Sequence, residues 1–389
     1  MSEIVVVGAR RTPIGLFGGA LADVPAPALG AVAIRAALAD AGLMPDAVSE
    51  AIMGCVLSAN LGQAPARQAA LGAGLAESVG CTTVNKVCGS GMKAIMLGHD
   101  MILAGSAEVV VAGGMESMSQ APHLLPGARR GHRFGTFEAL DHMVRDGLTD
   151  AYDGRAMGLF GEATAERYGF TRAAQDAFAV ASVERARAAQ AAAAFDAERV
   201  AVDVGEVQPV MADEGPMRSD PARIATLRPV FRPDGGTITA ATASGIADGA
   251  AALVLMPATA AAARGLEPLA RIVGHAGHSQ EPAWFTTAPV GAIERLLRHI
   301  GWRVDDVDLF EVNEAFAVVA MAAMRELGID HARMNVDGGA CALGHPIGAS
   351  GARIVVTLLH ALRRRGLRRG VAALCIGGGE ATAIAVERV

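Results

Sequence analysis

The sequence predicts an α/β protein in which one strand–helix unit is used twice, with a helical and loop-rich segment inserted between the copies. Three observations lead there. Short apolar, β-branched runs alternate with Gly- and Ala-rich stretches of helical spacing. The chain also repeats itself: "GLMPDAVSEAIMG" (42–54) matches "GWRVDDVDLFEVN" (301–313), and "GSGMKAIMLGHDMILAG" matches "ASGARIVVTLLHALRRRG". Asp46 thereby corresponds to Asp305 and Ser90 to Ser350, at offsets that agree to within one residue. Residues 121–234 break the pattern. Strands alternating with helices imply a mostly parallel sheet covered on both faces.

Taken in order, "MSEIVVVGARR" begins a strand at once, and residues 42–54 run from a helix-ending Gly42 into an apolar strand. Thr83, Val84 and Val87 fit a strand, while Met92, Ile95, Met96, His99, Ile102 and Leu103 recur at helical spacing, which leaves Cys88 at a strand-to-helix turn. "VVVAGGME", ending at Glu116, is the next strand and resembles "ALCIGGGE", ending at Glu380. Within 121–234, "PHLLPGARRGHRFG" is a basic loop, "TRAAQDAFAVASVERARAAQAAAAF" one long helix, and "MADEGPMRSDPAR" a polar loop. "GGTITAATASGIADGAAALVLM" (235–256) returns to strand and Gly/Ala-rich helix. The expected division is a first half at 1–120 completed by about 235–268, an insertion at 121–234, and a second half at 269–389.

Composition sets limits on function. At 389 residues the chain exceeds one ordinary core, and its 52% hydrophobic content suits buried sheets. With 34 basic against 40 acidic residues, the net charge of -6 gives no reason to expect nucleic acid or an anionic membrane as a general partner. No apolar run reaches bilayer-spanning length and no signal-peptide pattern is present, so a cytoplasmic protein is expected. Five widely spaced cysteines (Cys55, Cys81, Cys88, Cys341, Cys375) argue for reduced thiols rather than a disulfide framework or structural zinc. The histidines, His275 and His278 among them, show no metal-ligand spacing, and no metal is expected.

Cys88 is the first candidate for chemistry. Backbone N–H groups and the positive end of a helix dipole converge on such a turn, which lowers a thiol's pKa. The alternative is a small buried cysteine beside a tight bend. Equivalent halves bring equivalent turns together, so this turn should face "GGACALGHPIGASGAR" (338–353), which carries His345. "CIGGG" (375–379) brings Cys375, and "NEAFA" (313–317) brings Asn313, to the carboxyl ends of strands where open α/β sheets bind ligands. Taken singly, His345 could fix a turn, Cys375 could be inert core, and Asn313 with Glu314 could cap the following helix.

These residues, with "RRTPIGLFGGAL", "ARQAAL", "VCGSGMKA", "AGGMESMS", "LRPVF" and "GHPIGASGAR", resemble the thiolase family of the acetyl-CoA acetyltransferase type over the whole chain. The resemblance implies duplicated βαβαβαββ halves forming a layered α/β/α/β/α core, with an inserted loop domain. It implies Cys88 as nucleophile, His345 as its activator, Asn313 as holder of a water at a first oxyanion site, and Cys375 as acid/base. The N–H groups of Cys88 and Gly377 would form a second oxyanion hole. Ser244, Ala243, Leu148, Met157 and Phe316 would line the pantetheine channel, and Arg218 is a candidate for the nucleotide end. The implied substrates are acetyl-CoA, 3-ketoacyl-CoA and CoA, with no further cofactor. The implied assembly is a homo-oligomer, a dimer through the nucleophile-bearing halves or a tetramer joined by the insertion. The chain departs from the family's usual wording at Ala156, Ala163, Ala241-Thr242, Cys341 and Glu380. The competing readings are a degradative 3-ketoacyl-CoA thiolase of longer chain preference, a decarboxylating ketosynthase of the same fold, and a non-catalytic acyl-CoA-binding homologue. Cys375 argues against the ketosynthase and the intact set of four against the non-catalytic homologue.

Overall fold

Two groups of strands, one from each repeat, meet edge to edge. The structure is a computed structural model describing residues 3–389. The first group comprises β1 (Ile4–Arg11), β2 (Glu50–Gly54), β3 (Gly80–Val84), β4 (Val110–Ser117) and β5 (Ala247–Pro257). The second comprises β6 (Ala270–Ser279), β7 (Leu309–Val312), β8 (Arg369–Ile376) and β9 (Glu380–Glu387). They join in the order β7-β8-β9-β6-β1-β5-β4-β2-β3, with a two-residue strand at Gly15–Leu16 on β5 completing a ten-stranded sheet. The join is short: Ile4, Val5 and Val6 pair with Ile272, Arg271 and Ala270.

The sheet is mixed, which corrects the expectation of a mostly parallel one. Parallel pairing is confined to β2 with β3, β2 with β4, and β7 with β8. The pairs β4/β5, β5/β1, β1/β6, β6/β9 and β9/β8 are antiparallel. The reason is the connection: β8 returns directly into β9 across Gly377–Gly379, and without a crossover helix the next strand must run the opposite way.

Helices α1 (Ala26–Asp40) and α2 (Pro65–Gly72) pack on the outside of the first group; α3 (Ser90–Leu103) lies on its inner face. Of the remainder, α4 (Met157–Tyr168) and α5 (Arg172–Ala191) belong to the insertion, where the Thr171 hydroxyl caps α5 by accepting from Ala174 N–H at 3.2 Å. Helices α6 (Ala288–Ile300) and α7 (Ala317–Leu327) cover the outside of the second group. Helix α8 (Ile347–Arg365) runs between the two groups beside α3, touching β4 and β5 on one side and β7 and β8 on the other. Every residue of α8 from Ile347 to Leu362 is buried, as a helix with protein all round requires. The result is the layered α/β/α/β/α arrangement. Its middle is tight enough that a Cβ on Gly114 would stand 2.0 Å from Gly348 O.

Three local expectations change. Val87 is not strand: β3 stops at Val84. Residues 235–246 form turns rather than helix, and the Ala-rich "ADGAAALVLMP" is the buried central strand β5, whose small side chains let helices approach both faces. Strand register also revises the last repeat correspondence. Glu50 pairs with Val110 and Leu309 with Gly370, so Glu116 matches Ile376, and Glu380 already belongs to the next strand. No helix among the described residues is long and apolar enough to cross a membrane.

Candidate active site

The turn at Cys88 is strained and held from below. Val87 adopts φ +46°, a left-handed conformation unusual for a β-branched residue and worth about 1–3 kcal/mol of strain. Ser90 compensates: its hydroxyl donates to Val87 O at 2.6 Å and accepts from Lys86 N–H at 2.8 Å, while Val87 N–H donates to Asn85 Oδ1 at 3.0 Å. Gly89 lets Ile376 pack close, since a Cβ there would sit 2.4 Å from Ile376 Cδ1 at the end of β8 and would displace that side chain. The half-buried Cys88 thus projects over the β8–β9 hairpin and against a small apolar cluster of Val56, Leu57, Met118, Met143 and Ile347, with Leu148 at its edge.

The Cys88 thiol receives the Gly377 N–H and its own backbone N–H. Both favour the thiolate, as the helix-terminus argument expects. Burial outweighs them, with Glu116 adding to the upward push, and the thiol is raised to about 11. The expectation of a lowered pKa is therefore corrected: the free site holds a protonated Cys88. Cys375, fully buried at the end of β8, is raised well above the ordinary thiol range by burial and then by the proximity of Cys88.

His345 follows a four-residue helical turn at Ala340–Leu343 and is tied by its N–H to Gly245 O at 2.9 Å. Its Nδ1 meets the Ser350 hydroxyl and its Nε2 lies 3.5 Å from Asn313 Nδ2. Burial, and then the Arg353 charge, lower its pKa to about 3, so the imidazole is neutral. Asn313 stands at the end of β7, held by its N–H to Ala373 O at 3.0 Å. Its Oδ1 is buried without a partner among the described residues, leaving a free acceptor in the site. Glu314 does not cap α7, whose first turn has no side-chain cap. It accepts instead from Cys341 N–H at 3.0 Å, Ser182 Oγ at 2.7 Å and Asn335 Nδ2 at 2.8 Å.

The channel candidates assemble around this centre. Ala243 bridges Phe316, Ser244 N–H donates to Ala315 O at 3.0 Å, and Phe316 packs edge-to-face on Phe231 at 5.9 Å. Met157 is the neighbour a Cβ on Gly377 would meet, at 3.3 Å. Arg218 stands apart: it is exposed, paired with Glu214 at 3.0 Å, and borders a cavity of about 310 Å³ with Leu227, Ala240, Ala241 and Cys341.

Sequence reasoning passed over Glu116, which is fully buried. It accepts from Val56 N–H (3.0 Å), Leu57 N–H (3.1 Å) and Gly348 N–H (2.8 Å), clamping the loop after β2 to the start of α8. Phe231 and Lys86 were also passed over; nothing in their local spacing marks them. The structure further gathers His99, Asp100 and His275, whose ligand atoms lie within 4.8 Å of one another. Asp100 accepts from both histidines, at 3.2 and 2.9 Å. His275 borders a cavity of about 610 Å³ with Lys93, Arg295 and Arg298, whose positive charge opposes a bound cation.

Comparison with known proteins gives one answer. Residues 4–259 match the N-terminal domain of thiolase and residues 266–388 its C-terminal domain. The chain is 50% identical to an acetyl-CoA acetyltransferase of Schizosaccharomyces pombe, over 100% of this chain and 99% of that one. It is 51% identical to the acetyl-CoA acetyltransferase of Cupriavidus necator, over the full length of both. Acetyl-CoA acetyltransferase 2 of Arabidopsis thaliana is 52% identical over 99% of this chain and 97% of its own. In three dimensions the chain superposes on the Acat5 thiolase of Ascaris suum, solved in complex with coenzyme A, with a TM-score of 0.95 and 44% identity over all of both chains.

Proposed function

The chain belongs to the thiolase family, and from that premise we propose that its acyl transfer runs through a thioester on Cys88. The activity is that of an acetyl-CoA C-acetyltransferase, joining two acetyl-CoA into acetoacetyl-CoA and CoA, or cleaving the 3-ketoacyl-CoA in reverse. In the first step His345 Nε2 takes the Cys88 proton as sulfur attacks the thioester carbonyl; the tetrahedral adduct collapses, and the departing CoA thiolate is protonated from His345. A neutral imidazole beside a neutral thiol suits this, because the proton moves only when a carbonyl is present to receive the electron pair.

In the second step another acetyl-CoA places its thioester oxygen against a water held by Asn313. Cys375 first gives its thiol proton to solvent and then, as thiolate, removes the α-proton, and the enolate carbon attacks the acetyl carbonyl on Cys88. The resulting oxyanion is received by the N–H groups of Cys88 and Gly377, Cys88 leaves as thiolate, and acetoacetyl-CoA forms. Each step uses this chain's own groups and CoA thioesters, and we assign no cofactor.

The observation that carries these roles is the convergence of Gly377 N–H and Cys375 on the Cys88 sulfur. The relatives named acetyl-CoA acetyltransferase favour acetyl and other short acyl groups, which the apolar cluster against Cys88 would receive. We assign residues 121–234 to CoA binding and oligomer contacts: Phe134 and Phe137 stand exposed beside Arg129, Arg130 and Arg133, a surface suited to a second copy, which favours a tetramer built on a dimer. Five free cysteines suit the reducing cytoplasm. Incubation with acetyl-CoA and peptide mass analysis should find acetyl on Cys88, and modification confined to another cysteine refutes the assignment. Thiolysis across 3-ketoacyl-CoAs of increasing length tests the short-chain preference.

A further inference from the structure

Lys86 and Glu380, 294 residues apart, form an ion pair that ties the Cys88 turn to the Gly377 hairpin. Lys86 closes the turn with its backbone: its N–H donates to Ser90 Oγ at 2.8 Å and its carbonyl accepts from Gly89 N–H at 3.0 Å. Glu380 is the first residue of β9 and pairs with Ile376 across the three glycines, so it closes the hairpin whose Gly377 N–H meets the Cys88 thiol. Ser279 Oγ donates to the other carboxylate oxygen at 3.1 Å and orients it.

Apart from Ile376 packed against Gly89, no side chain of the turn itself holds its spacing. Gly377, Gly378 and Gly379 carry no side chains, and the last two have φ of +91° and +88°. Gly379 is anchored by its carbonyl accepting from Gln280 N–H at 2.8 Å, but that bond lies at the far end of the turn from Gly377. The side chains of Lys86 and Glu380 are 27% and 35% exposed, and a pair so open to solvent adds little to fold stability. Its consequence is therefore the distance it imposes between two loops.

We propose that Lys86 and Glu380 are positioning residues that set the separation of the Cys88 and Gly377 N–H donors and thereby the rate of acyl transfer. The proposal rests on the reading of Cys88 as nucleophile. It separates rate from binding, because the Ala243, Ser244 and Phe316 contacts belong to other elements. It also makes acyl transfer sensitive to salt, which screens a half-exposed pair.

The test uses the full-length enzyme and compares the parent, Glu380→Gln, Lys86→Met and the double variant. Single-turnover acetylation of Cys88 by acetyl-CoA is followed by rapid quench and mass analysis, beside steady-state kcat and KM. Each single substitution should slow acetylation by about fivefold while KM moves by less than about twofold. The double variant should be no slower than either single one. Raising NaCl from about 0.05 M to about 0.5 M should slow the parent and leave Glu380→Gln unchanged. Parent-like acetylation in Glu380→Gln, or single effects that multiply in the double variant, overturns the proposal. The salt series on the parent decides without any substitution: a salt-independent rate also overturns it. Acetylation of the parent at another residue would instead mark failure of the underlying Cys88 reading.

Discussion

The Ser350 hydroxyl sets the tautomer of His345. It donates to Pro346 O at 2.9 Å, so its oxygen is left to accept from His345 Nδ1–H, and Nε2 keeps its lone pair for the site. Asn313 Nδ2, 3.5 Å from Nε2, is consistent with that assignment. Ser350→Ala removes the acceptor while leaving His345 buried. Acetylation of Cys88 should then slow by roughly tenfold, the lower end of what an orienting partner contributes. An unchanged rate would show that burial alone orients the ring.

Cys88 gives a pH-dependent test. Burial raises its thiol to about 11 against the pull of two backbone N–H groups. In the absence of substrate, the rate of iodoacetamide alkylation at Cys88 should climb with an apparent pKa near 11. A midpoint at or below the ordinary thiol value of about 8.5 would mean that the helix terminus outweighs desolvation.

Glu116 links the site to stability. Burial lifts its carboxyl from 4.5 to about 7, against hydrogen bonds from Leu57, Val56 and Gly348 that favour the charged form. A group whose folded pKa is raised contributes stability that is fully present below its unfolded value and is lost as pH rises through the folded one. For Glu116 the window runs from about 4.5 to about 7 and amounts to about 3 kcal/mol. Thermal unfolding at pH 5 and pH 8 should therefore show a larger loss on the alkaline side in the parent than in Glu116→Gln. Equal losses would assign the pH dependence to other groups.

Cys375 separates the two half-reactions. Cys375→Ser should still accept acetyl from acetyl-CoA, since that step uses Cys88, His345 and the N–H donors. Exchange of the acetyl-CoA α-protons into deuterated solvent should fall by about 10²-fold or more, because a hydroxyl is a far weaker base than a thiolate. Exchange and condensation at the parent rate would reduce Cys375 to packing.

The sequence by itself determined the repeat and the residues at the strand ends. Asp46 and Asp305, or Ser90 and Ser350, are visible as pairs because local patterns of glycine, turn residues and apolar spacing survive in both halves. Cys88, His345, Asn313 and Cys375 stood out for the same reason: each sits in a short motif at a strand–turn boundary. What the sequence could not determine depends on segments far apart in the chain. The antiparallel return of β9 on β8 follows from the three-glycine connection, but that β9 takes β6 on its other edge is decided only by packing. The high pKa of Cys88 comes from desolvation by a cluster drawn from residues 56 to 347, which overrides a helix-terminus effect that is local and hence readable. Lys86 with Glu380, and Asp100 with His275, are surface-type residues in sequence; only the packing of β9 and β6 against the Cys88 turn and α3 makes partners of them. Local chemistry is written in neighbouring residues, whereas charge, burial and spacing at the site are set by which elements tertiary packing brings together.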